Sequence, residues 1–269
     1  MDNPSVEIIA EIANAHGGSW EVAGALVDAA AQAKANGVKF QRFTADELVV
    51  PSHPKHDHFR TLEFSETQWA SLVERARAAG LRVWSDVFGE RSARAMQALG
   101  VDGFKIHASD IANLPLLRVV TSCRRPVLLG CGGARLIEIR EAIEALGRHG
   151  CPRVIPMHGF QAFPTSLHET HLARLAYLRE QLGIPIGLSD HVDGGSEWAG
   201  LVPLLAVMLG VPVIEKHLTL DRAARGIDHH SALEPHELLG WLNASIRLRG
   251  CGGRLPSASP LKNSAIASR

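Results

Sequence analysis

Ile186-Gly187-Leu188-Ser189-Asp190-His191 and Val213-Ile214-Glu215-Lys216-His217 are two short, mostly apolar runs, each closed by a histidine. Residues 195–209 between them have the composition and spacing of a helix. Such a strand–helix–strand unit sets successive strands parallel in one sheet, with both C-terminal ends at the same edge. His191 and His217 are therefore expected side by side at one end of a sheet. Two neutral imidazoles held there begin a divalent metal site.

The same alternation extends outward in both directions. Strand-like runs fall at residues 6–11, 38–43, 81–85, 103–106, 126–129 and 153–157, and helical patterns at 21–36, 65–79, 90–99, 113–121, 136–148, 168–182 and 234–249. Eight strand–helix repeats, at roughly the 250 residues usual for the fold, predict a single-domain α/β protein of the (β/α)8 TIM-barrel type. An open, doubly wound sheet is the alternative. It calls for a glycine-rich dinucleotide turn after the first strand, which Ala13-Asn14-Ala15-His16-Gly17-Gly18 matches poorly. Residues 1–249 are expected to form the catalytic domain, and the Gly/Ser/Pro-rich residues 250–269 a loose tail. The connection 44–63, with Pro51, Pro54, His53, His56 and His58, is long enough to be expected functional or mobile. Its histidines read as a solvated loop before they read as ligands.

Composition narrows the function. Lys+Arg and Asp+Glu are both 28, so the formal charge is zero and neither nucleic acid nor an anionic membrane is an expected partner. No apolar run reaches the ~18 residues of a membrane span, and the N-terminal Met-Asp-Asn-Pro-Ser lacks the basic and apolar regions of a signal peptide. Cys123, Cys131, Cys151 and Cys251 show no CxxC spacing and read as reduced thiols of a cytoplasmic protein.

In such barrels the chemistry belongs to the C-terminal ends of the strands. Those ends carry Glu11; Lys39 and Gln41; Ser85 and Asp86; Lys105 and His107; Gly130; His158; Ser189, Asp190 and His191; Glu215, Lys216 and His217. Alternation in Val38-Lys39-Phe40-Gln41 puts Lys39 and Gln41 on the barrel interior, and Phe104-Lys105-Ile106 repeats the pattern. A buried lysine is costly unless it meets an anion, so two of them point to a carboxylate or phosphate substrate. His191 and His217 leave most coordination positions open, as suits a Lewis acid that accepts substrate oxygens. Glu11 and Asp228 are longer-range candidates for the same ion. Asp228-His229-His230 follows Gly226 in the loop after the last strand and can fold over the mouth.

With these residues assembled, the chain resembles the sialic acid synthase (N-acetylneuraminate synthase) family from residue 8 to about 249. The matching stretches are Ala10-Glu11-Ile12-Ala13-Asn14-Ala15-His16-Gly17-Gly18, Val38-Lys39-Phe40-Gln41, Phe104-Lys105-Ile106 with Asp110-Ile111-Ala112-Asn113-Leu114-Pro115-Leu116, Gly187-Leu188-Ser189-Asp190-His191, Val213-Ile214-Glu215-Lys216-His217-Leu218-Thr219-Leu220-Asp221, and Asp228-His229. The resemblance implies a barrel enzyme that condenses phosphoenolpyruvate with an amino-sugar aldehyde to a 2-keto sugar acid. It implies a divalent ion on His191 and His217, usually manganese, with magnesium, cobalt or zinc as alternatives. Glu11, Gln41 and Asp228 match sugar-contacting positions; Lys39, Lys105 and Ser189 match positions that grip phosphoenolpyruvate. A homodimer is implied as well.

The chain also departs from the family pattern. Ala108 stands at a serine position, Gly130-Cys131-Gly132-Gly133 replaces a Ser-Thr-Gly-Met turn, and Asp86 replaces a threonine expected to donate to the substrate carboxylate. Near strand six, Phe163 stands for a tyrosine and Gln161 for the polar phosphate contact. The small C-terminal covering domain of full-length members is expected to be absent. These departures keep two alternatives open: a metal-dependent aldolase, lyase or isomerase that does not use phosphoenolpyruvate, with Asp86 or His107 as acid–base partner, and a non-catalytic binding protein derived from an enzyme.

Overall fold

Eight parallel strands close on themselves in chain order: β1 (Glu7–Glu11), β2 (Gly37–Arg42), β3 (Arg82–Val87), β4 (Gly103–Ile106), β5 (Val127–Gly130), β6 (Val154–His158), β7 (Gly187–Asp190) and β8 (Val213–His217), with β8 paired back onto β1. The computed structural model describes residues 6–251. Outside the ring lie α1 (Trp20–Gln32), α2 (Ala45–Leu48), α3 (His56–Thr61), α4 (Glu66–Ala78), α5 (Glu90–Ala98), α6 (Leu114–Ser122), α7 (Leu136–Arg148), α8 (Ala173–Leu182), α9 (Trp198–Met208) and α10 (Pro235–Cys251). The fold is the (β/α)8 barrel that the repeat pattern predicts. Residues 252–269, most of the expected tail, lie outside the described residues.

Strand alternation divides the core in two. Ile8, Ala10, Val38, Phe40, Phe104, Leu129 and Ile214 face outward and pack under the helices, while Ile9, Trp84, Leu128, Ile155, Met157 and Val213 fill the barrel interior. Trp84 plugs the lower end, and its indole N–H donates to Glu7 Oε1 at 2.9 Å. Gly103 makes room for it: a Cβ there would lie 2.1 Å from the Trp84 ring. Above this apolar plug the inward positions turn polar, and that layer is the floor of the site.

Local signals set the helix starts. Ser19 caps α1 by accepting from Val22 N–H, Ser65 caps α4 in a reciprocal box with Gln68, and Asn113 caps α6. Two expectations need correction. The histidines of the 44–63 connection are not all solvated: α2 and α3 occupy it, and buried His56 bonds Asp46 Oδ1 at 2.8 Å, so that histidine serves the connection's own structure. The helix expected at 168–182 begins only at Ala173, because Leu167–Thr170 forms a 3-10 turn and His171 adopts a left-handed conformation.

Candidate active site

Ring closure brings the polar ends of the strands to one narrow cavity of about 40 Å³. Its lining includes all eleven residues singled out from the sequence as catalytic, substrate-binding or metal-binding: Glu11, Lys39, Gln41, Asp86, Lys105, His107, Gln161, Ser189, His191, His217 and Asp228. Register explains the convergence. Glu11 is the Cα partner of Lys39 on one side and His217 on the other, Asp86 lies between Gln41 and Lys105, and Ser189 lies beside Glu215.

The floor is an ion-pair network. Lys105 Nζ donates to Glu215 Oε2 at 2.9 Å and Oε1 at 3.1 Å, and to Ser189 Oγ at 3.2 Å. Lys39 Nζ pairs with Glu11, with Glu215 Oε1 at 3.1 Å and with Asp86 Oδ2 at 3.4 Å. Both ammonium groups are almost fully enclosed. Burial pulls the Lys39 pKa down against its carboxylate partners, while the carboxylates around Lys105 outweigh burial and raise its pKa. Glu215 is held far below the usual carboxylate range by the two lysines, against the opposing effect of burial. From the sequence, these lysines call for a substrate anion. The structure places protein carboxylates against both of them, three carboxylates around two ammonium groups.

The two histidines stand above this floor with ring centroids 5.5 Å apart. Burial keeps His191 neutral, with its pKa pushed down to about 4, and His217 lies well below its ordinary value by burial and by the neighbouring His191. His191 Nδ1 sits 2.8 Å from the Phe160 carbonyl, so Nδ1 carries the hydrogen and Nε2 keeps its lone pair for a ligand. Neutral, desolvated imidazoles with one oriented by a backbone carbonyl are suited to hold a divalent ion with open positions. The longer-range ligands expected from the sequence do not join them. Among the described residues no group of three or more His, Cys, Asp or Glu is gathered for a metal, and Glu11 is occupied by Lys39 and by the Ala13 N–H at 2.8 Å. Asp228 lines the cavity, and burial pushes its carboxyl up to about 6.

Alternation also removes residues from the site. Asp190 and Lys216 point away from the cavity, where Lys216 Nζ donates to Asp190 Oδ2 at 2.8 Å and to the Val192 carbonyl at 3.1 Å. His158 turns to the Thr170 carbonyl at 2.8 Å. Glu215, one of the strand-end residues of the sequence, lines the cavity, and Phe163 packs on His191 with a 4.4 Å centroid separation. Met157 and Gly159 line it too, and neither carries a polar signal in the sequence. Gly130 has a steric reason: a Cβ there would meet the Ala108 backbone nitrogen at 2.8 Å. Cys131 is buried, its thiol pushed up to about 12 by desolvation, and offers no thiolate.

A family model for NeuB matches residues 26–249. The chain belongs to the NeuB family. This NeuB-family chain is 33% identical over 284 residues to N,N'-diacetyllegionaminic acid synthase of Legionella pneumophila, covering 97% of this chain and 78% of that one. It is 29% identical to N-acetylneuraminate-9-phosphate synthase of Drosophila melanogaster over 87% of this chain and 65% of the relative. Among solved structures it resembles the N-acetylneuraminic acid synthetase of Leptospira borgpetersenii, with a TM-score of 0.87 and 31% identity over 95% of this chain and 89% of that one. A truncated 3-deoxy-D-arabino-heptulosonate 7-phosphate synthase of Thermotoga maritima, 17% identical with a TM-score of 0.75, shares the fold. The family assignment makes this chain a sialic acid synthase-like condensing enzyme of the transferase type. No helix among the described residues is long and apolar enough to cross a membrane.

Proposed function

We propose that this protein joins phosphoenolpyruvate, or a related three-carbon donor, to a sugar aldehyde, giving a 2-keto-3-deoxy sugar acid and inorganic phosphate. The observation that carries the reading is the pair of neutral imidazoles, His191 and His217, set in one cavity over the Lys39–Lys105 floor. The balance is simple. The donor methylene carbon bonds to the aldehyde carbon, a water oxygen ends on the donor's C2, phosphate leaves, and a proton goes to the former aldehyde oxygen. A divalent ion held by the two imidazoles, manganese or one of its near equivalents, supplies Lewis acidity when bound. Lys39, Lys105 and Ser189 orient the donor's anionic groups, which enter beside Glu215 rather than in place of it. Gln41 and Asp228 hydrogen-bond the sugar, Gln161 contacts the donor's phosphate, and Glu11 holds Lys39 in position. His107, with Nδ1 2.9 Å from Ser109 Oγ, lines the same cavity and serves as acid–base partner.

The test is phosphate release with manganese, phosphoenolpyruvate and a panel of 2-acetamido-2-deoxy sugars. Release that requires all three components and stops on chelation or in His191→Ala is expected; no release with any acceptor overturns the reading. One observation favours a second reading. Both lysines already have protein counter-ions, as an aldolase, lyase or isomerase acting without phosphoenolpyruvate would allow. Cleavage or isomerisation of a 2-keto sugar acid without phosphate turnover would identify it.

A further inference from the structure

Asp86 carries an acceptor that the protein leaves open. The side chain is 2% exposed and lines the cavity between Gln41 and Lys105. Its Oδ2 lies 3.4 Å from Lys39 Nζ, but Oδ1 is buried with no hydrogen-bond donor among the described residues. The neighbouring donors are already spent: Lys39 Nζ on Glu11, Glu215 and Asp86 Oδ2, Lys105 Nζ on Glu215 and Ser189. A buried carboxylate oxygen without a hydrogen to accept is costly, so whatever fills this side of the cavity must bring one.

The two substrates differ in this respect. An ionised phosphoenol donor presents carboxylate and phosphate oxygens, which have no hydrogen to give and which repel a carboxylate in an enclosed site. A sugar presents several hydroxyls, each able to donate. We propose that Asp86 is a specificity-determining residue whose Oδ1 receives a hydroxyl or amide hydrogen of the sugar acceptor. It sets the acceptor on the Gln41 side of Asp86 and turns the donor's carboxylate toward Lys105 and Ser189 on the other side. The assignment rests on the condensation reading above and names the acceptor side of that same site.

The experiment uses the manganese-loaded protein and compares wild type with Asp86→Ala and Asp86→Asn. The probes are phosphoenolpyruvate and a series of 2-acetamido-2-deoxy sugars with one hydroxyl deleted at a time. Asp86→Ala is expected to raise the acceptor KM about tenfold or more while the Kd of phosphoenolpyruvate, by calorimetry, moves less than about twofold. Asp86→Asn keeps a side-chain oxygen and recovers most of the loss. One deoxy sugar should show the same KM in wild type and Asp86→Ala, which a merely structural role would not produce. A shifted phosphoenolpyruvate Kd with the acceptor KM unmoved, or an equal loss for every deoxy sugar in both proteins, overturns the assignment. If wild type does not bind phosphoenolpyruvate, the condensation reading falls by itself. Direct titration of the amino sugars then decides for Asp86: about tenfold weakening by Asp86→Ala upholds its role, and unchanged or absent binding overturns it.

Discussion

Glu215 and Lys105 meet across the top of the barrel at 2.9 Å, two residues from strands that share no edge, and the other oxygen of Glu215 reaches Lys39 at 3.1 Å. One carboxylate thus holds two buried ammonium groups apart and in place. Replacing it by Gln strips Lys105 of its carboxylate partner in a dry site, while Lys39 keeps Glu11 and Asp86. Glu215→Gln is expected to lose about 3 kcal/mol or more of stability, read as a lower midpoint in urea with an unchanged slope. A midpoint within experimental error of wild type would show that the lysines do not depend on it.

The outward pair of Lys216 and Asp190 makes a sharper comparison, because it lies outside the cavity. Lys216 is fully enclosed, so removing either partner strands the other. Lys216→Met alone should cost about 3–5 kcal/mol. The double variant Lys216→Met/Asp190→Leu removes both charges and should recover much of that cost. Chemical denaturation of wild type, Lys216→Met, Asp190→Leu and the double variant closes the cycle, and additive losses would refute the coupling.

His191 and His217 are expected to act together on a metal. Titration of manganese followed by electron paramagnetic resonance should show one site in wild type, with affinity reduced at least tenfold in His191→Ala and in His217→Ala. Retained affinity in either variant would place the ion elsewhere.

Acid stability follows from buried imidazoles. His16 is pushed down to about 4 by burial; its Nδ1 accepts from Gly18 N–H at 3.0 Å and its ring packs on Phe64. The unfolded chain binds a proton near pH 6.5 that the folded state refuses until about pH 4. Stability is therefore full above about 6.5 and is lost as the pH falls toward 4. His16→Phe removes that proton, and the slope of stability against pH in this window should fall by about one proton. An unchanged slope would exclude His16 as a contributor.

Asp228 behaves in the opposite sense. Its carboxyl is raised to about 6, so the folded state holds a proton that the unfolded chain has already lost, and stability falls as the pH rises from about 4 to 6. If the ionised form binds the sugar, kcat/KM should rise through pH 6, and Asp228→Asn should erase that limb. A limb that persists in the variant belongs to another group.

Much of this protein is decided by local pattern. The alternation of short apolar runs with helical segments is enough for a closed parallel barrel, because each run must bury both faces. Period-two alternation within strands turns Lys39, Gln41 and Lys105 inward, and the polar residues at the strand ends name most of the cavity. What pattern does not carry is which charges meet. Lys39 and Glu215, or Lys105 and Ser189, lie far apart in the chain, and only closure of β8 onto β1 and the stagger of the strands set their distances. The same geometry turns Asp190 and Lys216 outward, orients His191 through the Phe160 carbonyl, and leaves Asp86 Oδ1 without a donor. Hydrophobic burial is additive along a chain and so can be read from it. Coulombic partnership depends on separations in space, which exist only once the ring has closed.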